Sequence, residues 1–453
     1  MRRALPWLLL TVLVLVALAG MGVELTEVPT SASGPVGKPA GSMSRGSVNP
    51  ATTTPPATTA TTLPPETASP WPSLAYARPG VALVGVSPIG NGSQGGRPSQ
   101  LYLSNDLVHW RLVTPPESQV PDSSGYQIFE HASFLNASSG WVTTWNPGTL
   151  GGTIYRTIDG GQSWTSVPGG GHGAHAGAAF WSQLLSPTTA FGEAVDPAAP
   201  QTSLVVTTDA GLTWHPVYNG PLPTTAGQPP QGPFEMPMVF ADALHGFAGL
   251  GIPPAEFDPG DGEFFMTSDG GSIWVRESPP LPHSAFACPT ERYSGSPTTC
   301  LFSTPTFDDP ARGVLPAAVV SGAQASVAFD VTTDGGLHWT LRSQRSVTVT
   351  PNTTQAIAQG PLGYPLVSVA SASTWWLLGW SSVGVTTQVS ADAGAGWAQA
   401  TAAPLPGVPV ALDAVDATRA LLTVTDVTPD GSTTQVLTTA DGGQEWHPVT
   451  LPG

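Results

Sequence analysis

The sequence predicts an all-β chain made of seven copies of one four-stranded unit, preceded by two segments that stand apart from it. Three observations carry this. Of 453 residues, 52 are glycine and 49 proline, which leaves little room for long helices. A box of polar residues ending in tryptophan recurs six times, with a shortened seventh copy. A second frame of apolar residues around a turn recurs upstream of each full box. Helical bundles, coiled coils and helical solenoids are thereby excluded. The net charge of −17 also argues against nucleic acid as a partner, because phosphate binding needs clustered cations.

The N-terminal segments come first. Arg2 and Arg3 precede Ala4–Val23, a stretch without charge. Twenty such residues span about 30 Å as a helix, the thickness of the hydrocarbon core. Residues 1–23 are therefore expected to be a signal peptide or a membrane anchor, with the rest of the chain outside the cytoplasm. Ala17-Leu18-Ala19 suits cleavage, while the length of the run suits a retained anchor. Residues 24–70 hold ten Thr, nine Pro and no aromatic residue, too little apolar surface to offset ordering, and read as a disordered Thr/Pro-rich linker. Aromatic residues begin at Trp71, where the folded domain, 71–453, is placed.

Within that domain the boxes run from Thr157 through Asp159 to Trp164, from Thr207 through Asp209 to Trp214, and from Thr267 through Asp269 to Trp274. Thr332/Asp334/Trp339, Ser390/Asp392/Trp397 and Thr439/Asp441/Trp446 follow, and Ser104/Asp106/Trp110 is one residue shorter. Aspartate bonds to backbone N–H groups two or three residues on and glycine supplies positive φ, so each box reads as a hairpin turn. The tryptophan then enters the next strand as an apolar wedge. The upstream frames are Phe134/Asn136/Trp141, Leu184/Ser186/Phe191, Phe240/Asp242/Phe247, Phe307/Asp309/Val314, Val369/Ser371/Trp376 and Ala414/Asp416/Leu421. Each frame reads as strand, tight turn, strand. Frame and box together make four strands in about 50–60 residues.

The box resembles the Asp-box, or BNR, repeat of sialidase-like β-propellers, a group that also takes in photosystem II assembly factors, sortilin-type receptors and xyloglucanases. The resemblance implies a single seven-bladed β-propeller of four-stranded blades over 71–453, with the box joining the third and fourth strands. It specifies fold rather than chemistry. In such a propeller, ligands meet the end opposite the boxes. Long connections are expected at that end, over 114–127, 167–178, 218–233, 277–299 and 343–363.

A sialidase needs three arginines converging on a carboxylate. The blade assignment puts Arg312 and Arg419 in turns at the box end, and Arg111, Arg156, Arg276 and Arg342 on or beside outer strands. Only Arg97 and Arg292 fall at the ligand end, with Tyr76-Ala-Arg78-Pro79 a poor substitute for the family's arginine motif. The ligand-end candidates are Glu130, His131, His172, His175, Glu235, Glu256, Glu263, Arg292 and Tyr293. Two of the glutamates could act as a glycosidase pair, but sparse acidic residues belong equally on solvated loops. His172 and His175 lack a third ligand nearby, so no metal and no cofactor are expected. Cys288 and Cys300, the only cysteines, are read as a disulfide across the longest connection. The expected function is non-enzymatic binding or assembly of a protein or carbohydrate by a monomer that touches the membrane only through its N-terminal segment. A secreted sialidase-like hydrolase is the alternative.

Overall fold

The computed structural model describes residues 71–87, 98–119, 127–146, 151–167, 179–196, 201–218, 238–249, 264–277, 298–349, 365–428 and 431–452. The segments 1–23 and 24–70 lie outside the described residues. Among those described, no helix is long and apolar enough to cross a membrane.

The described residues form seven antiparallel sheets, each from one continuous stretch of chain. Blade one comprises Trp71–Arg78, Val81–Ser87, Gln100–Ser104 and Arg111–Leu112; blade two, Ile128–Phe134, Gly140–Asn146, Gly151–Thr157 and Thr165–Ser166. Blade three comprises Ala179–Leu184, Ala190–Asp196, Gln201–Thr207 and His215–Tyr218; blade four, Met238–Phe240, Gly246–Gly249, Phe264–Thr267 and Val275–Glu277. Blade six comprises Leu366–Val369, Trp375–Ser381, Gly384–Ser390 and Ala398–Ala402; blade seven, Val408–Ala414, Ala420–Thr428, Gly431–Thr439 and His447–Pro448. This is the expected seven-bladed propeller with four-stranded blades.

Blade five departs from the expectation at both edges. Its inner strand is split into Thr298–Phe302 and Thr306–Asp309, both paired with Arg312–Ser321. Pro305 lies in the break and has no N–H to continue the ladder. Cys300 is therefore on a buried strand, not in the long connection. At the outer edge, Gln324–Thr332 pairs with the nine-residue strand Thr340–Thr348. Residues 343–348, expected in a loop, belong to this strand.

The turns show why the repeats fold as they do. In the upstream frames the polar residue closes the first hairpin. Asn136 Oδ1 accepts from the Ser138 and Ser139 N–H groups at 2.9 and 3.0 Å, and Asp416 Oδ1 from Thr418 and Arg419, both at 2.8 Å. In the boxes the leading hydroxyl is buried and works twice. Thr332 donates to Asp334 Oδ1 at 2.8 Å and accepts from the Gly336 N–H at 2.9 Å. The aspartate reaches one residue further than expected, to the N–H four residues on: Ser163, Thr213, Ile273, His338, Gly396 and Glu445 at 2.8–3.1 Å. Two consecutive left-handed residues widen these turns; only the short box, with Leu107 alone at positive φ, bonds at the second and third residues.

The core lies between blades. Each box tryptophan packs toward the blade before its own: Trp214 edge-on to Trp141 at 5.9 Å, Trp339 edge-on to Phe247 at 6.1 Å, and Trp397 against Phe329 at 5.1 Å. A phenylalanine fully buried this way, as Phe247 and Phe329 are, contributes about 2–3 kcal/mol. Inner strands are also tied in series. Ser133 Oγ accepts from the Leu184 N–H, Gln183 Oε1 from Phe240, and Ser368 Oγ from Ala414, at 2.7–2.9 Å. Among the described residues no strand is exchanged between the first and last blades, and side chains join the two. Val84, Tyr102 and Trp110 of blade one share a buried cluster with Val415, Leu421 and Val436 of blade seven.

Candidate functional site

Antiparallel pairing places the first-hairpin turns and the boxes at one end of the ring. The second-to-third-strand connections and the links between blades lie at the other. In blades five and six the second-to-third-strand connections are two-residue turns, after Ser321 and Ser381. The corresponding connections of blades one and four run over 88–99 and 250–263. The second-to-third-strand connections at the end opposite the boxes therefore differ in length from blade to blade.

Glu130 sits near this end on the inner strand of blade two, where the register shifts between Phe129 and His131. The shift turns its side chain out of the alternation that buries Phe129, Ala132 and Phe134. Glu130 is an exposed residue, yet partial desolvation of its carboxyl pushes it up to about 7. Beside it, Gln127 Oε1 accepts from the Thr144 hydroxyl at 2.7 Å and the Tyr155 hydroxyl at 3.1 Å. His131 is half-buried next to Glu130 in the strand. The other ligand-end candidates, His172, His175, Glu235, Glu256, Glu263, Arg292 and Tyr293, lie outside the described residues, as do Arg97 and Cys288.

Several of the described arginines are bonded into the scaffold. Arg78 donates to the carbonyl of Phe134 and Arg111 to that of Gly160, both from blade one to blade two. Arg342 of blade five donates to Ala393 of blade six at 3.0 Å. Arg312 and Arg419 pair with Asp309 and Asp416 in first-hairpin turns, each at 2.7 Å, where the blade assignment put them. Arg156 is on the third strand of its blade, paired with Thr165 of the outer one.

The box aspartates are likewise engaged within their turns. A hydrogen bond from Ser163 holds Asp159 down to about 2, and bonds from Thr213 and His338 do the same for Asp209 and Asp334. Asp106 is held lower still, chiefly by His109. All are ionised across the working pH range and their oxygens point into the turn. Asp269, Asp392 and Asp441 are shifted in the same direction, Asp392 chiefly by the Gly396 N–H and the other two despite some burial. Among the described residues no cluster of three His, Cys, Asp or Glu side chains is arranged to hold a metal.

Sequence reasoning missed two carboxyls. Asp413 is half-buried on the inner strand of blade seven, in the register position that Ser133, Gln183 and Ser368 occupy in theirs. It faces Tyr76 of blade one, and burial pushes it up to about 7. Asp330, in the third strand of blade five, is fully buried, and neither carboxyl oxygen has a hydrogen-bond partner among the described residues. Burial pushes it, too, up to about 7. No local pattern marks either residue, because their desolvation comes from neighbouring strands and blades.

These shifts set a pH dependence. Between about pH 4 and 7 the unfolded chain ionises Asp330 while the folded chain keeps it protonated, so stability falls as pH rises through that window. The box aspartates act oppositely: their contribution is present above about pH 4 and is lost as pH falls toward 2. Asp330→Asn is expected to leave stability at pH 4 nearly unchanged and to raise it at pH 8 by about 2–3 kcal/mol. Denaturant melts at the two pH values check this; an equal change at both would show that Asp330 is not the titrating group.

No family model matches the chain, and no curated protein does. Among solved structures it is similar to a GH74 enzyme of Niastella koreensis, at 13% identity and a TM-score of 0.49 over 84% of this chain and 54% of that one. It is similar to YCF48 bound to a D1 peptide at 14% identity and a TM-score of 0.41, over 82% of this chain and 97% of that one. The Hadza microbial sialidase Hz136 matches at 13% identity and a TM-score of 0.37, over 68% of this chain and 62% of that one. The chain spans about half the length of the Niastella enzyme. No activity is carried over from matches this distant.

Proposed function

We propose that the chain is an extracytoplasmic Asp-box propeller, tethered to the membrane by residues 4–23, that holds a protein or glycan at the ring end opposite the boxes without turning it over. The observation that carries this reading is the engagement of Arg78, Arg111 and Arg342 with backbone carbonyls of the next blade. Cations bonded into the ring stiffen a platform, and a rigid platform lowers the ordering cost of binding. They are not gathered as a carboxylate clamp.

One observation favours the second reading, a sialidase-like glycosidase. A carboxyl raised to about 7, as Glu130 is, suits a proton donor to a leaving sugar. The two readings separate in one experiment. The full chain, in detergent, is applied to an immobilised glycan and peptide panel and assayed in parallel on fluorogenic sialosides and other aryl glycosides. Capture without turnover is expected. Turnover that disappears in Glu130→Gln, with the melting temperature kept, would establish the hydrolase and overturn the binding reading.

A further inference from the structure

We propose that the cleft between the outer strands of blades six and seven is a binding site for an arginine side chain of a partner polypeptide, its guanidinium over Trp446 and paired with Glu445. The site lies on the flank of the ring and stands whether or not the end opposite the boxes holds a ligand.

The gap one blade earlier shows what fills this position. There Arg345, on the outer strand of blade five, holds its guanidinium over the Trp397 ring at 5.7 Å and donates from Nε to Gln388 at 2.7 Å. Gln388 in turn donates to the Ser346 carbonyl, and Ser343 Oγ accepts from the Trp397 indole N–H at 3.0 Å. The ladder registers give the counterparts between blades six and seven. Arg345 pairs with Val327 and Ala402 with Val385, each valine five residues before its box hydroxyl. By the same register Ala400 stands where Ser343 does, and Leu437 takes the place of Gln388, two residues before the box hydroxyl. Every polar group that fills the first gap is replaced by a smaller or apolar one. What remains is a cleft of about 480 Å³, within the size range of ligand sites, whose walls include Thr401, Leu405, Leu437, Glu445, Trp446 and Pro448. The Trp446 indole N–H has no hydrogen-bond partner, and among the described residues no cation stands over its ring.

Charge selects the occupant. Glu445 immediately precedes Trp446, where the other boxes carry His109, Ser163, Thr213, Ile273, His338 or Gly396. A carboxylate therefore stands beside a tryptophan whose neighbouring strand, Ala398–Ala402, has no charged residue. It is largely exposed, with the equally exposed His447 at 3.3 Å. A guanidinium can lie over a tryptophan face and offer a carboxylate two parallel N–H bonds, which an ammonium cannot. Its aliphatic stem suits the apolar wall formed by Leu405 and Pro448. The chain's own Arg78, Arg111, Arg312, Arg342, Arg345 and Arg419 are already bonded within the ring. A net charge of −17 also sets two copies of the chain against each other, so the arginine comes from a different polypeptide.

The test uses the full chain in detergent and two blocked tripeptides, with arginine or its neutral isostere citrulline between two alanines. Binding is titrated by ligand-observed NMR at physiological salt, where the Debye length of about 8 Å limits the electrostatics to local charges. The arginine peptide is expected to bind about ten-fold tighter than the citrulline peptide. Glu445→Gln is expected to remove most of that advantage at an unchanged melting temperature. Ala402→Arg, which supplies the missing cation from within, is expected to abolish peptide binding and to melt no lower than the unaltered chain. Should Ala402→Arg melt early, the two peptides on the unaltered chain and on Glu445→Gln decide. Equal binding of the two peptides, no detectable binding of either, or an arginine advantage that survives either substitution would overturn the proposal. So would self-association of the chain that Ala402→Arg abolishes, which would make a second copy the occupant.

Discussion

Gly336→Ala is expected to destabilise the ring by about 3–5 kcal/mol, combining left-handed strain with overpacking. Gly336 sits at φ +88°, and a Cβ there would lie 2.3 Å from Phe247 Cζ and 2.6 Å from Phe247 Cε1, in the preceding blade. Phe247 cannot swing aside. It is fully buried, with Phe307 stacked at 5.2 Å and Trp339 edge-on at 6.1 Å. The neighbouring Gly335→Ala supplies the control. Gly335 is also left-handed, at φ +75°, but its Cβ would meet only the Pro310 carbonyl at 3.1 Å. Two other boxes already carry alanine at that position, Ala210 and Ala393, at φ 63° and 58°. The control is expected to cost about 1–2 kcal/mol, the strain alone. Chemical denaturation of both variants checks the difference, and equal costs would show that the contact between blades is not what demands the second glycine.

Trp339→Ala is expected to cost about 3–5 kcal/mol, the range for truncating a large aromatic at a packed interface. Its ring lies edge-on to Phe247 and Phe264 of blade four and against Phe307 of its own blade, so the cavity opens between blades rather than at the surface. Asp334→Ala, five residues earlier, is expected to cost less, because the turn is exposed and water can take up the His338 N–H it releases. Thermal melts of the two variants would show the order. A larger loss at Asp334 would mean that the turn, not the wedge, holds the blades in register.

The sequence made the repeat legible because its signals are local. A hydroxyl, an aspartate and positive-φ glycines close a turn wherever they occur in that order, and Asn136 or Asp416 closes the preceding hairpin within three residues of its own position. Blade five shows where local signals fail. Thr340–Thr348 has only Leu341 and Val347 as apolar residues and reads as a polar loop, yet its ladder to Gln324–Thr332 extends it as a strand. The same limit applies to the candidate site. The sequence places Glu130 near the end opposite the boxes, but its raised carboxyl comes from desolvation that no local pattern marks.

The amino-acid order by itself determined the number of blades, the strands within most of them, and the end of the ring at which the box aspartates lie, since each depends on contacts within about eight residues or on a repeat length. The tertiary structure alone decided which groups meet across the gaps. The Phe134 and Ala393 carbonyls receive Arg78 and Arg342, Phe247 crowds Gly336, and Asp413 faces Tyr76 where the last blade meets the first. These partners lie from 51 residues to most of the ring apart along the chain, and only the packing of one blade on another brings them together. Desolvation follows the same rule: Asp330 sits in a strand pattern no different from its neighbours', and it is packing from outside that strand that removes its water.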